Sequence, residues 1–197
     1  MEIDLNKIPK FVINLPDRTD RLQSFNKEFF SFFNHGDSYK VIRASRIDPG
    51  YVGCAMSHLS AVNAAFSTIC DHALIMEDDC VFNGQTSRKY AELCMKNLPE
   101  DFDLVQGGLY FRRKSEKTHG EWEELTKFSG SHFYIVSRKG MFKLSKFNCD
   151  THIDHWMGLN LKCYAPKKFF AMQEPGYSDI ANKPVDYTDR LKEFVIV

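Results

Sequence analysis

ALIMEDDCVF, residues 73–82, decides how this chain is read. Four apolar residues run into three consecutive carboxylates, Glu77, Asp78 and Asp79, and an apolar pair, Val81 and Phe82, follows. A short apolar run of this kind reads as a buried strand. In open α/β sheets, ligands bind beyond the carboxyl ends of the strands, which is where this strand delivers its acids. Adjacent acids repel one another, so the cluster is unfavourable unless something neutralises it. A divalent cation suits the task. Hard oxygen ligands favour Mg²⁺ or Mn²⁺, held by one or two carboxylates and shared with phosphates. A solvated turn or an acid-rich helix start would show the same letters. The apolar strand directly before the acids is what speaks for metal.

Outward from this stretch, strands and helices alternate. KFVINL (10–15) is a buried first strand, and Asp17 stands where a helix cap belongs. Leu22, Phe25, Phe29 and Phe32 recur at helical spacing and predict a helix over 19–33. YKVIRAS (39–45) is a second strand, SRIDPGYVG (45–53) a loop, and Met56, Leu59, Val62, Phe66 and Ile69 predict a helix over 54–70. A helix over 86–97 and a strand in DFDLVQGG (101–108) follow. Residues 112–127 crowd together nine Lys, Arg and Glu, which predicts a solvated, mobile loop able to close over a ligand. SHFYIVS (131–137) is a strand, RKGMFKLSKF (138–147) a short helix, THIDHWMGLNLK (151–162) a helix and KKFFAM (167–172) the last strand. The alternation predicts an α/β fold with a central, mainly parallel sheet.

The chain has 197 residues, which suits one domain over 1–197. Its apolar end, RLKEFVIV (190–197), is compatible with one domain of a longer polypeptide. Lys+Arg and Asp+Glu are balanced at 26 each. That balance excludes a general charge-driven role on nucleic acid or a membrane surface. No apolar run approaches a membrane span, and the N-terminus lacks a signal peptide's apolar region. Six cysteines (54, 70, 80, 94, 149 and 163) stand apart without C-x-x-C. They read as reduced thiols in a cytoplasm-like compartment.

Five blocks carry a resemblance. FVINLPDRTDRLQSF, YVGCAMSHLSAV, ALIMEDDCVF, GSHFYIVSRKG and IDHWM resemble, in order, successive blocks of glycosyltransferase family 25. That family includes bacterial lipooligosaccharide galactosyltransferases, collagen galactosyltransferases and relatives encoded by large DNA viruses. The resemblance spans about residues 10–180. It implies a GT-A fold, a UDP-sugar donor (UDP-galactose or UDP-glucose), a glycan or glycoprotein acceptor, and inversion at the anomeric carbon. For a virus-encoded member it implies the host cytoplasm.

Carried over by residue, the resemblance makes Asp79 the metal ligand and Glu77 a donor contact or part of the metal shell, with Asp78 facing either way. Asn14 and Leu15 would form the uridine side, and a guanidinium at Arg18 or Arg21 can meet diphosphate or base. Ser57 and His58 would face the donor where small residues Gly53, Cys54 and Ala55 let a helix start approach; a capping or core histidine is the alternative. Gly130 and Ser131 would bring backbone amides to a sugar hydroxyl. Asp154 would take the proton of the attacking hydroxyl beside Trp156, which could stack on a sugar face. Asp154 as a plain helix cap is the alternative. GT-A enzymes often add a late histidine to the metal; here MQEPGYSDI offers Gln173, Ser178 and Asp179 instead. A metal-dependent phosphohydrolase and a silent sugar-binding module are the rival classes.

Overall fold

In β1 (Lys10–Asn14) all five residues are buried, and alternate side chains serve two different cores. The computed structural model describes residues 1–194; the last three residues of the apolar end lie outside them. The chain continues through α1 (Thr19–Phe32), β2 (Lys40–Arg43), α2 (Gly50–Phe66), β3 (His72–Glu77), β4 (Cys80–Val81), α3 (Gly84–Lys96) and β5 (Leu104–Gln106). β6 (Phe111–His119), β7 (Trp122–Ser129), β8 (Phe133–Ser137), α4 (Arg138–Leu144), α5 (Ile153–Asn160) and β9 (Cys163–Pro166) follow. The chain closes with β10 (Met172–Gln173), β11 (Gly176–Ser178), β12 (Lys183–Val185) and α6 (Thr188–Leu191).

One eight-stranded sheet, in the order β2-β1-β3-β8-β5-β9-β7-β6, organises the molecule. Strands β2, β1, β3, β5, β9 and β6 point one way; only β8 and β7 oppose them. The mainly parallel α/β sheet expected from the alternation is therefore present. Phe11, Ile13, Ile75, Tyr134 and Val136 face one core with α2, α4 and α5. Val12, Leu74, Met76, Phe133 and Ile135 face the other with α1 and α3. This is the period-2 pleat expressed as two layers of helix on one sheet. Helix α1 buries Phe25, Phe29 and Phe32 along one stripe, each worth about 1.5–3 kcal/mol on removal from water. Helix α2 lies against the loop after β2: a Cβ on Gly53 would stand 2.6 Å from the Ser45 carbonyl oxygen.

Three expectations are corrected. Residues 112–127 are not a loop but most of the β6–β7 hairpin, which extends the sheet through β9. Most of their charges face solvent, with Glu123 buried against Arg112 and Lys114, while Trp122, Leu125 and Phe128 are buried beneath. KKFFAM is not a strand of the sheet; Cys163–Pro166 just before it is, and only Met172 joins a strand, pairing with Val81. α2 starts four residues earlier than expected, at Gly50 rather than Cys54, and takes in part of the expected loop. All six cysteines are free thiols. Among the described residues no helix is long and apolar enough to cross a membrane.

Candidate active site

The three acids sit at the corner where β3 leaves the sheet. The Asp78 backbone N–H donates to the Ile13 carbonyl at 3.1 Å, which ties the corner to β1. After Asp79 the chain pairs as β4 with β10, and the Glu174 N–H donates to the Asp79 carbonyl at 2.8 Å. A cavity of about 450 Å³ opens here, beyond the carboxyl ends of β1, β2 and β3. Leu15, Arg21, Ser57, His58 and all three acids line it. Gly53 and Cys54, at the start of α2, line it as well, and Ala55 does not.

Each acid has its own partners. Glu77 Oε1 accepts from the Ser131 hydroxyl at 2.7 Å and stands 3.3 Å from His58 Nε2. Asp78 accepts from Asn14 Nδ2 at 2.7 Å, so Asn14 acts from beneath the site rather than from its wall. Asp79 Oδ2 accepts from Gln173 Nε2 at 3.1 Å. Arg21 Nη1 lies 3.3 Å from Asp78 and 3.4 Å from Asp79. Burial disfavours charge on all three. At Glu77 burial is overcome by the His58 imidazole and the Ser131 hydroxyl, and the carboxyl falls to about 2. At Asp79 burial and the charges of Glu77 and Asp78 push the carboxyl up to about 7, against Arg21 and Gln173. Asp78 is also raised, by burial first, with Asn14 and Arg21 opposing.

These residues fit a cation in one specific respect. Asp79 Oδ1 is buried without a hydrogen-bond partner, and a buried polar atom left unmatched is costly. A cation would match it and offset the repulsion that raises Asp79. Among the described residues no three His, Cys, Asp or Glu side chains form a ready cage. A cation here must draw further coordination from elsewhere, as Mg²⁺ does from phosphates.

A second cavity, of about 270 Å³, adjoins the first. Gly130, Ser131 and Asp154 line it, with Tyr51, Tyr110 and Tyr187 as aromatic wall. Asp154 Oδ2 accepts from the Gly130 N–H at 3.0 Å and its Oδ1 from the His155 N–H at 2.8 Å. Glu77, Cys54 and Gln173 line both cavities and so mark the seam between them.

Three expectations fail here. Arg18 is not on the cavity wall; its guanidinium is held by Asp20 at 3.1 Å and Asp179 at 3.5 Å. Trp156 does not face the second cavity but packs on Phe147 at 5.1 Å. The charged 112–127 segment lines neither cavity, so it does not cover the site. The β11–β12 hairpin does. Tyr177 and Asp179 line the first cavity, Arg21 Nη2 donates to the Tyr177 carbonyl at 2.5 Å, and Arg46 pairs with Asp17 at 2.7 Å and Asp179 at 3.2 Å. Sequence reasoning missed Arg46, Tyr51, Tyr110 and Tyr187. Tyr51 opens the quoted block YVGCAMSHLSAV but carried no role there; the others showed only polar or aromatic character.

No family model matches the chain, and no curated protein matches it. Solved structures do resemble it in chain course. They include the galactosyltransferase LgtC in complex with donor and acceptor sugar analogs, at 11% identity and TM-score 0.49, over 80% of this chain and 73% of that one. Mannose-1-phosphate geranyltransferase from Thermus thermophilus is similar at 9% identity and TM-score 0.47, over 81% and 73%. A Drosophila galactosyltransferase 7 mutant in complex with manganese, UDP-Gal and xylobiose is similar at 11% identity and TM-score 0.44, over 90% and 70%.

Proposed function

We propose that this chain is a metal-dependent glycosyltransferase that moves a hexose from a UDP-sugar to a hydroxyl of a glycan or glycoprotein. The observation that carries the reading is the pair of adjoining cavities. One holds the buried, partly unmatched carboxylate Asp79, the other holds Asp154, and Glu77 stands at their seam. The sequence blocks that resemble glycosyltransferase family 25 fall on both cavities.

In this reading Asp79, with its unmatched buried oxygen, would hold Mn²⁺ or Mg²⁺. When bound, the cation would act as a Lewis acid that neutralises the leaving diphosphate. Arg21, which faces Asp78 and Asp79 in the free protein, has a guanidinium suited to diphosphate once the acids are otherwise matched. Leu15 and the carboxyl ends of β1 and β2 offer the uridine side. The acceptor enters the second cavity beside Tyr51 and the stacked pair of Tyr110 and Tyr187. Asp154, oriented by two backbone N–H groups, takes the proton of the acceptor hydroxyl as its oxygen attacks the anomeric carbon. The new C–O bond forms as the bond to UDP breaks, with its electron pair leaving on the diphosphate. Attack from the side opposite UDP inverts the anomeric centre.

The test is thermal shift and calorimetry with UDP, Mn²⁺ and both together, followed by UDP release from a panel of UDP-sugars. Stabilisation by UDP that needs Mn²⁺ is the expected result. UDP that leaves the protein unshifted with and without metal would rule the reading out.

A further inference from the structure

We propose that His58 and Tyr134 are positioning residues: they hold Glu77 at the seam of the two cavities, where its free oxygen selects a neutral hexose on the donor. The inference rests on the glycosyltransferase reading above.

The arrangement is a chain of three side chains from three elements. Tyr134 on β8 sits opposite Ile75 of β3, two residues before Glu77, so all three side chains share one face of the sheet. The Tyr134 hydroxyl lies 3.0 Å from His58 Nδ1, and His58 Nε2 lies 3.3 Å from Glu77 Oε1. Tyr134 is fully buried and His58 is 1% exposed. A hydroxyl donating to Nδ1 places the ring proton on Nε2, the nitrogen that faces Glu77. Two apolar side chains would fill the same space without burying polar groups. What the polar pair adds is direction.

That direction acts on one oxygen. Both contacts that reach Glu77, from His58 and from the Ser131 hydroxyl, fall on Oε1. Among the described residues no donor is bonded to Oε2, and the Glu77 side chain is 22% exposed. One oxygen is thus tied to the protein and the other is left to the cavity seam. A sugar carried on a diphosphate held at Asp79 and passed towards Asp154 must cross that seam. A carboxylate oxygen accepts from a sugar hydroxyl, and it repels a sugar that carries its own carboxylate. The seam therefore favours a neutral hexose over a hexuronic acid. In this role Glu77 serves the sugar rather than the metal.

The experiment compares UDP, UDP-galactose, UDP-glucose and UDP-glucuronate by calorimetry with saturating Mn²⁺, on the whole chain and on Tyr134→Phe. The ring stays, so the fold is kept and only the hydroxyl is lost. In the wild type a neutral UDP-hexose should bind about tenfold tighter than UDP-glucuronate. In Tyr134→Phe the UDP-hexose should lose about tenfold, one hydrogen bond's worth, while UDP itself stays within about twofold. A parallel readout needs no nucleotide: ¹⁵N-edited NMR of the histidine rings. It should show His58 protonated at Nε2 in the wild type and without a fixed tautomer in Tyr134→Phe. A wild-type proton on Nδ1 overturns the relay. Equal loss for UDP and UDP-hexose assigns Glu77 to the metal and overturns the sugar role. A wild type that binds UDP, with an unchanged hexose preference in Tyr134→Phe, overturns the inference alone. A wild type that binds no UDP overturns the glycosyltransferase reading as well.

Discussion

Nη1 of Arg21 lies 3.4 Å from Oδ2 of Asp79, so a residue of α1 supplies positive charge to the acid corner of β3. The same guanidinium touches Asp78 and the Tyr177 carbonyl. Arg21 therefore joins three parts of the site: the acid corner, the first helix and the covering hairpin.

Arg21→Gln should destabilise the metal-free protein by about 1–3 kcal/mol, because it leaves two buried carboxylates without their cation. For a chain of this size that is a fall in Tm of roughly 2–10 °C. Millimolar Mn²⁺ should restore part of the loss in the variant, since it takes over the neutralising role. Thermal melts with and without Mn²⁺ make the comparison. A variant as stable as the wild type in chelator would mean that Arg21 does not neutralise the corner.

Asp79→Asn should act in the opposite sense. Burial first, and then the charges of Glu77 and Asp78, raise the Asp79 carboxyl. Removing one charge without changing the shape should stabilise the metal-free protein by about 1 kcal/mol, or roughly 2–4 °C. Its strand-end position does not make this residue solvent-facing; it is 8% exposed. The same variant should lose all Mn²⁺-dependent stabilisation by UDP. Such a gain in stability with loss of binding is expected where a fold tolerates repulsion for a ligand. A variant that still binds UDP only with Mn²⁺ would take Asp79 out of the metal site.

Arg46→Ala tests the covering hairpin. Arg46 binds Asp17 in the loop after β1 and Asp179 between β11 and β12. These pairs are exposed and screened by solvent, so they add little to global stability. Local opening is the sensitive quantity. Limited proteolysis should cut within 176–185 several-fold faster in the variant, with Tm little changed. UDP with Mn²⁺ should slow the cut. Equal cleavage of both proteins would mean that other contacts hold the hairpin.

What the sequence showed and hid follows from the range of the forces involved. The acid corner was legible because strand and charges are adjacent in the chain. The layered α/β order was legible because β1, α1 and α2 carry periodic apolar residues. The β6–β7 hairpin was hidden: its solvent face holds most of the charge, and that charge masked Trp122, Leu125 and Phe128. The cover of the site was hidden for a different reason. Its strands are three residues each and polar, and the pairs that hold it join Arg46 to a residue 133 positions away. His58 was proposed for the site, but its link to Tyr134, 76 positions on, has no local signal. Arg18 was misplaced because both arginines follow an aspartate or a threonine-aspartate turn. Only helical phase decides which of them faces the acids.

Asp154 separates chemistry from architecture. Both of its oxygens accept backbone N–H groups, from Gly130 and His155, so the residue shapes the second cavity as well as facing it. Gly130 has a φ of +116°, a conformation that glycine adopts readily and other residues do not. Asn in place of Asp154 keeps one acceptor oxygen and turns the other into a donor. One buried N–H then loses its partner, at about 1–3 kcal/mol. Asp154→Asn should therefore lower Tm, and this loss alone says nothing about catalysis. The decisive numbers are kcat and UDP-sugar affinity, measured well below the variant's Tm. Turnover should fall by about 10²-fold or more if a positioned proton acceptor is gone. Donor affinity should stay near normal, because the proposed diphosphate site lies in the other cavity. A variant that is less stable yet turns over normally would confine Asp154 to holding the Gly130 bend. A variant that loses donor affinity as well would move it into the donor site and leave the proton to another group.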